Sequence, residues 1–229
     1  MVTAVILAAG KSERMGANVD KAFLTLGSKP VLAWSLLAFE RCTAIDRIIL
    51  VVRREQQTAA KALNTMFGIH KLSKIVVGGL RRQDSVMCAL KECDPDTRIV
   101  VVHDGARPLI TPPVIAETVK LAKQTGAAIV GRRIWDTVKH AGKNGVVEST
   151  LDRSKLWAVQ TPQAFSFPLL QKAYELAKAR KITVTDDSAA VELVEGRQVK
   201  IYESLLPNVK ITTPEDLPLA DAILATMKI

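Results

Sequence analysis

Runs of Val and Ile alternate with segments of helical periodicity through the first half of this 229-residue chain. Continuous apolar strands separated by helices are typical of a parallel sheet that is covered by helices on both faces. The sequence predicts strands over residues 2–8, 48–52, 74–77, 99–103 and 127–131, and helices over 30–40, 55–66, 83–91 and 112–124. We therefore expect an α/β fold, with an open, twisted, mainly parallel sheet of the Rossmann-like kind.

The segment from about residue 133 to 157 breaks this rhythm. Short alternating stretches flank Gly142-Lys143-Asn144-Gly145, which predicts a β-hairpin, and Trp135 and Trp157 lie near its two ends. A hairpin has too little core to be stable alone. It is either a surface excursion or an arm that packs on a second subunit, and the two Trp residues favour the arm.

The last third predicts helices over 168–178 and 187–194, strands over 200–203 and 208–212, and a final helix capped by Thr213. Pro218 should bend or locally loosen that helix. No repeat or linker is visible, so we expect one domain over residues 1–229, with the arm projecting from it.

Charge and composition narrow the class of ligand. The net charge is +9, but the basic residues are scattered among acids, and only 4% of residues are aromatic. This pattern disfavours a nucleic-acid surface and suits a small polyanionic substrate. Three cysteines without a Cys-x-x-Cys pair are typical of reduced thiols, and no targeting or membrane segment stands out, so we expect a cytoplasmic protein.

The stretch VILAAGKSERMGA ends the first predicted strand with small residues and then places Lys11 and Arg14, with Lys21 further on. Small residues let backbone N–H groups approach a ligand, and cations beside them suit an anion. The spacing matches neither the Walker loop nor the dinucleotide motif. A plain turn with solvated lysines is the alternative to a phosphate-binding loop.

A second segment, VVVHDGARPLI, places Asp104 at the end of a buried strand. Ligands of open parallel sheets lie at the carboxyl ends of the strands, so Asp104 should face the same site as the first loop. Mg²⁺ commonly takes one or two carboxylates together with substrate phosphates, which makes Asp104 a candidate metal ligand. The alternative is that Asp104 caps a turn or pairs with Arg107. His103 has no second His or Cys nearby and is interpreted as structural.

Several motifs in the same order resemble the 2-C-methyl-D-erythritol 4-phosphate cytidylyltransferases of isoprenoid biosynthesis. They are AAGKSERMG, Lys21, GGLRRQDSV, HDGARP, DTVK, LDRSKLW, QTPQ, TDD and NVKIT, and they cover essentially the whole chain. The resemblance implies an enzyme that uses Mg²⁺ or another divalent ion to convert CTP and a sugar-alcohol phosphate into a CDP-linked product and pyrophosphate. Ser12 stands where many relatives have glycine, and we expect no fused downstream enzyme.

The resemblance also implies roles for the matching residues. The nucleotide would be bound by Ala8, Ala9, Gly10, Gly79, Ser85 and Asp104, with Asp104 also holding the metal. Arg14, Lys21 and Lys210 would be catalytic. The sugar phosphate would be bound by Arg107, Thr137, Arg153, Thr185 and Lys210. Thr137 and Arg153 lie on the arm, which in the family reaches across a homodimer toward the partner's substrate.

The chemistry that these residues could support needs no protein nucleophile. A phosphate monoester is largely dianionic near neutral pH and can itself attack the α-phosphate of CTP, provided that cations offset the repulsion. Two alternatives stay open from the sequence. One is a cytidylyltransferase that acts on ribitol 5-phosphate, and the other is a non-catalytic nucleotide- or RNA-binding module.

Overall fold

The computed structural model describes residues 1–10, 15 and 20–227. Its strands are β1 (Val2–Ala8), β2 (Thr25–Leu26), β3 (Lys29–Pro30), β4 (Arg47–Val52), β5 (Leu72–Val77), β6 (Ile99–Asp104), β7 (Ala127–Arg133), β8 (Lys139–Ala141), β9 (Val147–Thr150), β10 (Trp157–Ser166) and β11 (Lys200–Glu203). Its α-helices are α1 (Val31–Arg41), α2 (Gln57–Phe67), α3 (Arg82–Leu90), α4 (Pro112–Thr125), α5 (Phe167–Ala179), α6 (Asp187–Val191) and α7 (Asp216–Thr226). Each strand and helix predicted in the first half is present, with bounds that differ by a few residues.

Seven strands form one twisted sheet in the order β11-β7-β10-β6-β1-β4-β5. Six of them run in the same direction, and β10 is antiparallel to both of its neighbours, β6 and β7. The predicted mainly parallel α/β sheet is therefore confirmed. The sequence analysis did not predict β10, because Pro162 within QTPQ interrupts its strand pattern.

Helices cover both faces of this sheet because side chains alternate along each strand. Ala4 and Ile6 of β1 pack into the cluster that contains α1, α2 and α4, whereas Val5 packs into the opposite cluster, with α3, α5 and α6. Both faces are buried, which explains why the central strands are apolar on both sides instead of alternating apolar and polar residues. None of the helices in the described part of the chain has the length and hydrophobicity needed to span a bilayer.

The chain between β11 and α7 differs from its prediction. Residues 208–212, all of which the structure describes, form no strand. Side chains use their backbone instead: Arg107 Nη1 donates to the Asn208 carbonyl (2.7 Å), and Asp216 Oδ2 accepts from the Thr212 amide (2.7 Å). The segment crosses the loop after β6 through one backbone bond, from the Ile211 amide to the Ala106 carbonyl.

The final helix begins later than predicted. Glu215, not Thr213, is its N-cap, and Asp216 accepts from the Thr212 and Thr213 amides. Pro218 consequently lies in the first turn, where a missing N–H costs little, so no bend is required there. Helix α6 also ends at Val191, three residues before the predicted end.

The predicted hairpin is present as β8 and β9, which pair antiparallel around a turn closed by the Gly145 amide and the Gly142 carbonyl. Every residue of both strands is exposed. Trp135, at its root, is 65% exposed, while Trp157 is half-buried beneath the Arg133 guanidinium. The hairpin therefore projects from the sheet as an arm and leaves an apolar side chain at its base uncovered.

A buried histidine connects β6 to β10. His103 Nδ1 lies 3.0 Å from Thr161 Oγ1, and His103 Nε2 lies 3.3 Å from the Arg107 carbonyl oxygen. The Arg107 carbonyl can only accept, so Nε2 carries the ring proton, and Nδ1 accepts from the Thr161 hydroxyl, which itself accepts from the Asp104 amide. Burial is the main cause that lowers the pKa of His103 to about 3, so the ring is neutral in the folded protein.

This neutral ring predicts a loss of stability in mild acid. The unfolded chain takes up a proton on His103 below about pH 6.5, and the folded chain does so only near pH 3. The free energy of unfolding should therefore fall as the pH falls through this window. Between pH 6 and pH 5 we expect His103→Gln to reduce the slope of that fall by about 1 kcal/mol per pH unit, measured by urea denaturation.

The matched control is His70→Gln. His70 is exposed, so this variant removes a histidine from the surface and leaves the buried ring in place. The comparison uses slopes rather than absolute stabilities, so a general destabilisation by either substitution does not affect it. An unchanged slope in His103→Gln would show that the ring is not held neutral.

Candidate active site

A cavity of about 320 Å³ opens at the carboxyl ends of β1, β5 and β6. Eight of the predicted site residues line it: Ala8, Ala9, Gly10, Lys21, Gly79, Ser85, Asp104 and Lys210. These residues come from five separate parts of the sequence, and the parallel sheet brings them together because its strands end at the same edge. Arg14, which was predicted to contact the triphosphate, lies outside the described residues.

Close packing shapes the wall of the cavity that follows β5. A Cβ on Gly78 would lie 2.5 Å from the Ala9 Cβ, and one on Gly79 would lie 2.4 Å from the Asp84 Cβ. No other residue type fits at either position without a shift of backbone. Ser85 Oγ accepts from the Gly79 amide (3.1 Å) and so holds the loop against the start of α3.

Asp104 lies at the centre of the polar wall. Lys210 Nζ contacts its Oδ2 at 2.7 Å, and Arg82 Nε contacts its Oδ1 at 3.2 Å. Burial alone would raise the pKa of Asp104, but attraction by Arg82 and Lys210 outweighs it and holds the pKa well below the usual range. Asp104 is therefore a carboxylate at every pH at which the protein would work.

Arg82 bridges two carboxylates. Besides Asp104, it contacts Asp187 Oδ2 through Nη2 at 2.8 Å, and the Asp187 side chain is fully buried. Burial would lower the pKa of Arg82, but the two carboxylates raise it further above its ordinary value. The guanidinium is thus a permanent charge, held in one plane between the cavity and the core.

Arg107, which the sequence offered as an alternative partner for Asp104, contacts it in a different way. The Arg107 side chain donates to the Asn208 carbonyl, and the Arg107 amide donates to the Asp104 carbonyl within the turn. Burial lowers the pKa of Arg107, although Asp104 opposes this. Arg107 is not among the described residues that line the cavity, and it secures the segment that presents Lys210.

Three other predicted substrate residues are exposed and do not line the described part of the cavity. Thr137 lies on the arm, and Arg153 lies at the arm's end, where its Nη1 donates to the Trp135 carbonyl. Thr185 precedes α6. Within one chain, the fold therefore does not bring these three residues to the cavity that holds the other eight.

Four polar residues that line the cavity were not predicted as site residues, namely Asp20, Arg53, Arg81 and Arg82, and neither was Asp187, which contacts Arg82. Arg53 lines the cavity and contacts Asp20 Oδ2 at 2.7 Å, which holds the turn that begins at Lys21. Arg53 follows directly after β4, so applying the strand-end rule to every strand would have found it. Arg82 and Asp187 lie within the quoted motifs GGLRRQDSV and TDD, but no local pattern signals that they pair.

The donor set limits how a metal could bind. Within the described residues no group of three or more His, Cys, Asp or Glu side chains is suited to hold an ion. Asp104 nevertheless presents an ionised carboxylate to the cavity, and each of its oxygens can accept a further contact. This fits an ion such as Mg²⁺ that takes most of its ligands from substrate phosphates and water.

The cavity is suited to bind and align phosphate groups. Its described lining carries five cations, Lys21, Arg53, Arg81, Arg82 and Lys210, against two carboxylates. The one hydroxyl among those lining residues, Ser85, already bonds the loop, and the lining includes no His or Cys. The site thus supports phosphoryl chemistry in which the substrate supplies the nucleophile.

Comparison with known proteins identifies the family to which this site belongs. The family model of 2-C-methyl-D-erythritol 4-phosphate cytidylyltransferase matches residues 2–226. The enzymes of that name from Pelotomaculum thermopropionicum and Geobacillus kaustophilus are 44% and 45% identical to this chain, over 97% of it and 94% and 96% of their own lengths.

Solved structures agree with these relatives. The crystal structure of 4-diphosphocytidyl-2C-methyl-D-erythritol synthase from Anaerococcus prevotii superposes with a TM-score of 0.87 at 31% identity, covering 98% of this chain and 96% of that one. That of 2-C-methyl-D-erythritol 4-phosphate cytidylyltransferase from Thermus thermophilus superposes with a TM-score of 0.79 at 27% identity, covering 97% and 98%. This chain belongs to the 2-C-methyl-D-erythritol 4-phosphate cytidylyltransferase family.

Proposed function

We propose that this cavity transfers the CMP group of CTP to 2-C-methyl-D-erythritol 4-phosphate. The products are 4-diphosphocytidyl-2-C-methyl-D-erythritol and pyrophosphate, and the reaction belongs to isoprenoid precursor biosynthesis. The observation that carries the proposal is the cationic cavity at the strand ends, in a chain whose family model spans residues 2–226.

In the reaction, a phosphate oxygen of methylerythritol phosphate attacks the α-phosphorus of CTP. A new P–O bond forms as the bond between the α-phosphorus and the bridging oxygen of pyrophosphate breaks. No proton has to be removed from the nucleophile, because the phosphate monoester is already largely dianionic near neutral pH. Lys21 and Arg14 are assigned to the triphosphate, and Lys210 to the sugar phosphate. Fixed positive charge offsets the repulsion between the two anions and stabilises the charge on the departing pyrophosphate.

We assign a divalent ion to Asp104. Mg²⁺ bound there with the triphosphate would add positive charge to the phosphates during transfer. Asp104 is suited to this because Arg82 and Lys210 keep it ionised and in place. The surrounding cations also keep the carboxylate from repelling the nucleotide.

The nucleotide base is assigned to the loop after β5. Gly79, held by Ser85, and the small residues Ala8, Ala9 and Gly10 leave room for a nucleotide while exposing backbone groups. A pocket closed by backbone atoms can select a base through hydrogen bonds to its edge.

We further propose a homodimer in which the arm completes the partner's site. Thr137 and Arg153 are exposed on the arm, away from the described lining of their own cavity, and Trp135 beside them is 65% exposed. An arm that reached a second copy would cover this Trp and deliver both polar residues to the sugar phosphate there. We place the enzyme in the cytoplasm, where the three cysteines would stay reduced.

The activity is tested by measuring pyrophosphate release from purified protein with CTP, Mg²⁺ and methylerythritol phosphate. Leaving out any one component, or chelating the metal, should reduce release to background, since each is assigned a part in the transfer. Ribitol 5-phosphate is the matched control substrate, because it differs in its carbon skeleton but carries the same phosphate. Equal rates with ribitol phosphate, or release without a sugar phosphate, would refute the substrate assignment.

The cations are tested by alanine variants. Lys21→Ala and Arg14→Ala should each lower kcat by roughly 10²-fold, the scale of losing one preorganised charge at the reacting groups. Lys61→Ala is the control, since Lys61 is exposed on α2 and does not line the described cavity. Turnover within a few-fold of wild type in the Lys21 or Arg14 variant would remove that residue from the mechanism.

The shared site is tested by mixing two inactive variants. A dimer of one Arg153→Ala subunit and one Lys21→Ala subunit has a single site with both residues intact, if Arg153 acts in the partner's site. Random mixing should therefore restore roughly a quarter of the wild-type rate. Subunits that are shown to exchange, yet recover no activity, would place Arg153 in its own chain's site or outside catalysis.

A further inference from the structure

A buried pair of side chains, Tyr174 and Asp187, is linked to the active-site carboxylate of Asp104 through Arg82. The Tyr174 hydroxyl donates to Asp187 Oδ1 at 2.6 Å, and Tyr174 is 2% exposed. The other oxygen, Oδ2, accepts from Arg82 Nη2 at 2.8 Å. Asp187 thus connects the hydrophobic face beneath α5 to a cation that lines the cavity.

The backbone of Asp187 is fixed as firmly as its side chain. Asp187 is the first residue of α6, and its amide and that of Ser188 both donate to Gln163 Oε1, at 3.1 Å each. Gln163 is 1% exposed and belongs to β10, and its Nε2 donates to Asp186 Oδ2 at 2.8 Å. The carboxylate of Asp187 therefore has little freedom to follow Arg82 if Arg82 moves.

Arg82 is held by contacts on two of its nitrogens. Nη2 contacts Asp187, and Nε contacts Asp104 Oδ1 at 3.2 Å. A guanidinium is planar, so two contacts to separate carboxylates fix its plane. The remaining oxygen of Asp104 is held by Lys210, which is assigned to the sugar phosphate. When Lys210 turns to that phosphate, Arg82 becomes the contact that keeps Asp104 oriented.

We propose that Tyr174 and Asp187 are positioning residues for the transfer reaction, acting on Asp104 through Arg82. The inference rests on the proposed function, because it concerns the same Asp104. Stability alone is a weak reason for this arrangement, since a buried ion pair often stabilises a protein no better than a well-packed apolar pair. The fixed carboxylate of Asp187 does, however, hold Arg82 in place, and Arg82 in turn sets where the Asp104 carboxylate lies.

A double-mutant cycle separates positioning from packing. Tyr174→Phe removes the hydroxyl and leaves the ring in the core. In the wild-type background it should lower kcat about tenfold, an interaction of the size found within one hydrogen-bond network, while the KM for CTP changes less than twofold. In an Arg82→Ala background, Tyr174→Phe should change kcat less than twofold, because its route to Asp104 is already cut.

Two further variants sharpen the cycle. Tyr202→Phe is the matched control, as it removes the only other tyrosine hydroxyl and should leave kcat unchanged. Asp187→Asn should lower kcat at least as much as Tyr174→Phe, because it removes the charge that holds Arg82. All variants are assayed at a temperature at which circular dichroism shows them folded.

A measurement without turnover separates this inference from the proposed function. The Arg82 Nε–H resonance should exchange with solvent several-fold faster in Tyr174→Phe than in wild type or Tyr202→Phe. Faster exchange shows that Tyr174 holds Arg82 in place even if wild-type protein releases no pyrophosphate, a result that would overturn the proposed function but not this positioning of Arg82. Unchanged exchange, or an equal loss of kcat in both backgrounds, would overturn the positioning role.

Discussion

The site depends on keeping the Asp104 carboxylate ionised although the protein largely buries it. Its side chain is 12% exposed, and such burial disfavours the charged form. Two cations reverse that preference, and they come from separate parts of the chain: Arg82 from α3 and Lys210 from the segment before α7. The two ion pairs of the Asp104 carboxylate therefore join three separate segments of the sequence.

The sheet topology determines where Asp104 lies. β6 lies beside β1, so Asp104 emerges next to the small residues that follow the first strand. The next strand in the sheet, β10, is antiparallel, and its Thr161 accepts from the Asp104 amide and bonds His103. A neutral buried histidine thus secures the backbone of the residue whose side chain carries the charge. The buried contact of the fold and the charge of the site therefore belong to two adjacent residues, His103 and Asp104.

Local patterns of apolar residues predicted most of this fold, because they reflect which residues are buried and whether side chains repeat with the period of a strand or a helix. Strand β6 could be located from its Val run, and Asp104 could be assigned to the cavity by the strand-end rule. The antiparallel strand β10 could not be located in this way, because Pro162 interrupts its pattern, and the irregular segment 208–212 could not, because it depends on partners far away in sequence. Within 208–212, side chains form the hydrogen bonds to backbone groups that neighbouring strands would form in a sheet. No periodicity in the sequence indicates this replacement.

The same limit applies to the partners of the site residues. Motifs place Arg82 and Asp187 near a ligand, but only the packing of α3 against α5 and α6 shows that they contact each other. The resemblance to a known family likewise assigned Thr137 and Arg153 to a substrate, yet one chain leaves both exposed. Sequence patterns predict the type of charge at a position better than they predict which neighbour it meets.

The pairing of cations with acids explains how a basic cavity can be a specific site rather than a surface that binds anions non-specifically. Arg53 is held by Asp20, Arg81 by Asp84, and Lys210 by Asp104. Each acid, whether in the wall like Asp20 and Asp104 or beside it like Asp84, reduces the net charge at the cavity, which weakens attraction at long range, but it also fixes a flexible side chain before the substrate arrives. Stabilising a reaction between two anions requires charge at defined positions, because charge that must reorganise during the reaction loses much of its effect. The carboxylates of this cavity therefore contribute to phosphate chemistry by orienting the cations around them.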